Sequence, residues 1–196
     1  MRNFALTGFL LLVTVLASFG QSNILAKGNA YLNSEQYEKA ALAFSDGIKE
    51  EPTNLIYQCQ LGLALIEQKK FLEAENVLGK ILTADSNNVA AVWYSGIGKF
   101  KNIQYRQAIS RFEKAVKLVN KRSGQYYSAK WFLGSCYANL LKTEGLTYAE
   151  TDRMFECYEE YLQLQPNAED AGEIREYVKR KKQIRPSSNV KNWVDL

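Results

Sequence analysis

The chain has 196 residues, 46% apolar and 23% charged, with a net charge of +4 at neutral pH. That balance describes a folded body rather than a disordered chain, and its positive charge is too mild to point to nucleic acid. Histidine is absent, which removes the commonest general base and the commonest metal ligand together, so His-dependent triads and His-based zinc sites are excluded.

Residues 1–20 open with Arg2, run apolar from Phe4 to Phe19, and end in Ser18 and Gly20, the small residues of a cleavage site before Gln21. The pattern predicts a secretory signal peptide, since its apolar stretch falls short of the roughly 20 residues that span a bilayer. No cysteine sits at the cleavage site, so a lipid anchor is not expected. The expectation is a periplasmic or secreted bacterial protein, cleaved near Gly20.

From Gly28 onward the sequence repeats itself. Gly28 returns as Gly62 and Gly96, Tyr37 as Phe71 and Tyr105, Ala40 as Ala74 and Ala108, and Phe44 as Leu78 and Phe112, each 34 residues after the last. A fixed period of this length marks stacked supersecondary units. The first unit spans about residues 23–54: a helix carrying Ile24, Gly28 and Tyr31, a turn at Asn33-Ser34-Glu35-Gln36, and a second helix with Tyr37, Ala40, Ala41, Phe44 and Ile48 at helical spacing, stopped by Pro52. The second, 55–88, ends through Asp85-Ser86-Asn87-Asn88, whose short polar side chains compete for the backbone. The third, 89–122, carries Lys99 where a large apolar side chain is expected. A fourth, about 127–168, pairs Leu133-Gly134 and Tyr137 with Tyr158, Tyr161 and Pro166, but holds eight residues more than the pattern allows. The surplus falls near residues 141–151 and fits either a longer helix pair or a surface loop. Residues 170–182 predict a last helix with Ala171, Ile174, Tyr177 and Val178 on one face, and 183–196, with Pro186-Ser187-Ser188, a flexible tail.

The unit resembles a tetratricopeptide repeat (TPR): a glycine and large side chain on the first helix, an aromatic, Ala and Phe on the second, then Pro52. The resemblance implies an all-α solenoid of helical hairpins, a right-handed superhelix of about four repeats closed by a C-terminal capping helix, with 21–182 as its domain. It also implies that the first helices line a concave groove. The positions the fold leaves free there are Leu25, Asn29 and Leu32, then Cys59, Gln60, Leu63 and Ile66, then Trp93, Tyr94, Ile97 and Lys101, then Trp131, Phe132, Ser135 and Asn139. Of these, Asn29, Gln60, Leu63 and the last two sets are the expected partner-binding residues. Trp93 and Trp131 occupy the same place in consecutive repeats, which reads either as core packing or as an aromatic binding patch. A carboxylate clamp of the co-chaperone type is not expected, because only Asn29 matches its set, with Leu25, Gln60, Ala90 and Tyr94 at the other places.

Cys59, Cys136 and Cys157 form no CxxC pair and read as small apolar core residues, with a Cys136 to Cys157 disulfide left open by the export expectation. Lys179-Arg180-Lys181-Lys182 with Arg185 forms the one basic cluster, read as a solvated helix end or as a contact for an anionic membrane. No nucleophile with a base, phosphate-cradling loop or cofactor motif is found. The expected function is a non-catalytic scaffold of the cell envelope that binds a protein or peptide segment, without cofactor, metal or nucleic acid. The alternatives are a self-associating structural component, a homo-oligomer, or an accessory subunit of outer-membrane or export machinery.

Overall fold

A computed structural model describes residues 21–195, the side chains of Gln21 and Ser22 excepted; the expected signal peptide lies outside the described residues. Nine α-helices follow one another among them: α1 (Gln21–Asn33), α2 (Tyr37–Glu50), α3 (Leu55–Glu67), α4 (Phe71–Ala84), α5 (Val89–Lys101), α6 (Tyr105–Leu118), α7 (Gly124–Thr143), α8 (Tyr148–Leu164) and α9 (Ala171–Ile184). The repeat period is visible in how the helices begin. Asn54 accepts a hydrogen bond from the Ile56 amide (3.0 Å) and Asn88 from the Ala91 amide (3.0 Å), each capping the first helix of a hairpin. Ser123 does the same for α7 through the Tyr126 amide (3.2 Å).

The chain divides into two units, Met1–Val77 and Leu78–Leu196, with the boundary inside α4. In the first, α2 packs against both α1 and α3. Its core is Ala40, Phe44, Tyr57 and Ala64, flanked by Ile24, Leu25, Tyr31, Leu32, Ile48 and Leu61. Gly28 makes this packing work: a Cβ there would stand 2.4 Å from Cε1 of the fully buried Phe44 ring. The second unit repeats the device, with Gly96 under Phe112 and Gly134 under Tyr158. Here α5, α6, α7 and α8 pack in sequence, each against the next, and α9 lies against α8. First helices form one layer, joined by Phe100 against Phe132 (5.1 Å, edge-on). Second helices form the other, joined by the fork of Arg153, whose Nη2 donates to both Glu113 oxygens (2.8 and 3.1 Å).

The corners of the first three hairpins share one backbone solution. Glu35, Lys69 and Ile103 all take a left-handed conformation (φ 58°, 63° and 60°). Each amide donates back into the helix just ended, and the next residue's amide reaches one carbonyl earlier: Gln36 to Tyr31 O (2.8 Å), Lys70 to Leu65 O (2.9 Å), Gln104 to Lys99 O (2.9 Å). This is the Schellman arrangement, which satisfies the last carbonyls of a helix. Ile103 is the odd occupant, β-branched and 71% exposed. Left-handed backbone costs such a side chain about 1–2 kcal/mol, partly offset in a glycine by its freer unfolded chain. Ile103→Gly is therefore expected to raise the urea midpoint by an amount equal to about 0.5–1 kcal/mol; an unchanged or lower midpoint would mean that the side chain contributes packing there.

The fourth hairpin resolves the question of the eight surplus residues in favour of longer helices. Glycine and aromatic stand 16 residues apart in Gly28–Phe44 and Gly96–Phe112, but 24 apart in Gly134–Tyr158, with the same contact made. The eight sit at the corner: counted from the glycine and the ring, α7 runs four residues further than α5, α8 starts three residues earlier than α6, and the turn is one residue longer. Gly145 (φ 82°) turns the chain and Thr147 with Glu150 forms a capping box that starts α8. Hydrogen bonds from Thr147 and Arg106 outweigh burial and hold the Glu150 carboxyl below its ordinary range.

The expected flexible tail is the main departure. Leu146 and Trp193 form an isolated antiparallel bridge, each amide donating to the other's carbonyl at 2.8 Å. The Asp195 amide donates to Leu141 O (3.0 Å), and its carboxylate pairs with the buried Lys181. Residues 190–195 thus rest on the extended corner, and Trp193 covers the core around Leu141, Leu146, Met154 and Phe155. Longer helices raised apolar side chains above the level of their neighbours, and the returning segment shields them from water.

Candidate functional site

In the second unit, six rings from α5, α6 and α7 form one cluster, four of them in contact with Phe132. Phe112 stacks on it (4.7 Å, 8° between planes), while Trp93 (5.9 Å), Phe100 (5.1 Å) and Trp131 (5.1 Å) approach it edge-on. Trp93 also meets Phe112 edge-on at 5.5 Å, and Tyr105 meets Phe100 at 5.7 Å. Such offsets follow from the ring quadrupole, which sets positive edges against negative faces. The two tryptophans that share a repeat position therefore share a cluster but not a role. Trp93 is 8% exposed and belongs to the core. Trp131 is half-buried, and its Nε1 donates to Asp170 Oδ2 at 2.7 Å.

The remaining expected groove residues sort by depth. Ile97 and Ser135 are buried, at 1% and 7% exposure. The Tyr158 hydroxyl donates to Ser135 Oγ (3.4 Å), and Asn139 Nδ2 donates to Ser135 O (2.7 Å). Tyr94, Phe132 and Asn139 are half-buried and Lys101 is exposed. The accessible part of the first-helix layer is thus Tyr94 and Lys101 on α5 with Trp131, Phe132 and Asn139 on α7. In the first unit, Asn29 and Gln60 come together, Gln60 Nε2 donating to Asn29 Oδ1 at 3.2 Å, and Leu63 is half-buried on the same helix as Gln60.

Two polar knots were not legible in the sequence. Asp170 precedes α9 but does not cap it, because its oxygens are taken by Trp131 Nε1 and the Tyr161 hydroxyl (2.8 Å). The second is Lys130, 4% exposed, with its ammonium 2.6 Å from Glu160 and 5.2 Å above the Tyr126 ring. The Tyr126 hydroxyl donates to the other Glu160 oxygen at 2.5 Å. Burial works against the Glu160 charge, yet these hydrogen bonds hold its carboxyl below the ordinary range. Long-range pairs of this kind leave no local pattern.

The three cysteines are free and buried, and burial pushes each thiol up to about 12. The thiolate is the reactive form. Native protein at pH 8 is expected to leave all three unmodified by a thiol-specific disulfide reagent on a time scale where guanidinium-unfolded protein reacts completely; rapid native labelling would show a site more open than described.

The basic helix end is largely neutralised. Lys181 pairs with Asp195, Lys182 with Glu159 (2.5 Å) and Arg185 with Asp152 (2.6 Å), which leaves Lys179 and Arg180 to the solvent. No group of three metal-binding side chains occurs among the described residues, and none of their helices is long and apolar enough to cross a membrane.

No family model matches the chain, and no curated protein does. Solved structures do. A crystal structure of MamA aligns with a TM-score of 0.63 at 22% identity, covering 81% of this chain and 85% of that one. MamA from Desulfovibrio magneticus RS-1 aligns at 0.59 with 18% identity, over 76% and 77%. The TPR domain of Arabidopsis OM64 is 26% identical over 57% of this chain and 91% of that one, with a TM-score of 0.49. Helical hairpins with a glycine set under a ring on the partner helix, a ninth helix behind them, and the likeness to MamA give this chain the tetratricopeptide-type helical-repeat fold.

Proposed function

We propose that the chain is a non-catalytic protein-interaction scaffold that holds a protein or peptide segment against the first-helix layer of its second unit. The observation that carries this reading is that Tyr94 on α5 and Trp131, Phe132 and Asn139 on α7 are half-buried, with Lys101 exposed at the end of α5. Aromatic side chains that are rigidly supported and partly open are the usual anchors of binding hot spots, and an amide and a cation on the same helices supply orientation. Location in a bacterial cell envelope belongs to the same proposal and is supported by the character of residues 1–20.

The test is capture from an envelope extract with residues 21–196, beside a Tyr94→Ala/Lys101→Glu variant of unchanged melting temperature. A partner held by the wild type and released by the variant supports these first-helix residues. A partner held equally by both moves the site elsewhere.

Self-association is a second reading, favoured by charge. Residues 21–77 hold eight acidic and five basic side chains, whereas 78–196 hold thirteen and nineteen. Opposite signs at the two ends of a chain favour head-to-tail contact between copies. Light scattering at low and high salt separates the readings: a mass that falls with added salt supports association.

A further inference from the structure

The extended corner of the fourth hairpin binds a peptide already, its own. Residues 192–195 meet it in extended form through four backbone-directed contacts: the reciprocal Leu146–Trp193 pair, the Asp195 amide on Leu141 O, and Asn192 Nδ2 on Glu144 O (3.1 Å). Gly145 is needed for this approach, since a Cβ there would lie 2.6 Å from Asn192 Nδ2. Two side chains add selectivity: Trp193 covers the apolar corner, and two residues later Asp195 reaches Lys181, a residue only 6% exposed. Backbone pairing with alternate side chains read by pockets is how an added strand is recognised.

The resident segment leaves one buried donor unmet. Where it crosses Tyr148, Thr151 and Arg185 the free space holds about one water molecule. The Nε of Arg185 is buried there without a hydrogen-bond partner, although its other nitrogens reach Tyr148 O (2.8 Å) and Asp152. An unmet buried donor is costly, so a segment that brought a carbonyl to it would bind better than the resident one. Strand pairing is limited to the one bridge, Leu146 with Trp193, so the segment's seating depends also on its tether.

We propose that this corner is an acceptor site for an extended segment of another protein carrying an aromatic residue and, two positions later, a carboxylate, and that residues 189–195 occupy it in the partner's absence. The site is distinct from those first-helix residues, so either can fail alone.

The probe is a fluorescein-labelled, C-terminally amidated peptide of residues 189–195, titrated into full-length chain and into full-length Trp193→Ala/Asp195→Ala, with anisotropy as readout. The peptide is expected to bind the double variant about tenfold tighter than wild type, because the tethered competitor has been weakened. The same peptide with Asp195→Asn is expected to lose that binding. Equal affinity for both chains, no saturable binding to a variant whose circular dichroism matches wild type, or unimpaired binding of the Asp195→Asn peptide would each overturn the proposal. Should the double variant fail to fold, Asp195→Lys alone serves the same comparison.

Discussion

Phe112→Ala is expected to lower the unfolding free energy by roughly 3–5 kcal/mol, the range for removing a fully buried ring. The side chain has no exposed surface, stacks on Phe132, makes a T-shaped contact with Trp93 and fills the space that Gly96 leaves open. Its loss would leave a void bounded by rings that themselves hold one another, so collapse around it is restricted. Phe112→Leu keeps most of the volume and is expected to cost less than about 1.5 kcal/mol. Urea unfolding followed by tryptophan fluorescence reads both, with the wild type as reference. Similar costs for the two variants would show that the ring-specific contacts add little and that only volume matters.

Gly134→Ala should destabilise by about 1–3 kcal/mol, although alanine ordinarily favours a helix over glycine by about 1 kcal/mol. The reversal of sign is the informative result. The added methyl would fall 2.6 Å from Cδ1 and 2.8 Å from Cγ of Tyr158, the anchored side of a ring that is 7% exposed. A shift of the ring end would not relieve that contact; α8 must move. Gly172→Ala on α9 is the matched control, because nothing lies within 4 Å of its new Cβ. That variant is expected to gain up to about 1 kcal/mol. Loss in the first and gain in the second, measured as urea midpoints, would establish close approach as the reason for the repeated glycine. Gain in both would remove it.

The repeat period, the pairing of helices and the glycine contacts were legible because they are local and recur: Gly28 and Gly96 each find a phenylalanine 16 residues on, and Gly134 a tyrosine on the following helix. The fourth hairpin was legible in length but not in form, since eight residues can extend two helices or make a loop with similar composition. Depth within the first-helix layer was harder. Adjacent residues on a helix differ by about 100° in direction, so Trp93 and Trp131 cannot be sorted into core and surface by register alone. What decides is the neighbour each side chain meets, and for Trp131 that is Asp170, 39 residues away. The seating of 190–195 was hidden for the same reason. Its polar, Pro-Ser-Ser lead reads as a tail, and the bridge that holds it joins Leu146 to Trp193.

The hairpin corners and the helix faces divide the demands of this fold between them. Glutamate, lysine and isoleucine all occupy the left-handed corner position, whereas the contact beneath each ring admits no side chain at all. A corner can therefore gain residues without disturbing the contact below it, and the fourth hairpin has done so, keeping Gly134 under Tyr158 across eight additional residues. New surface in this architecture is acquired by lengthening at the corners, and a diverging copy of the gene would be free to vary in both length and sequence there while its helix faces stayed fixed.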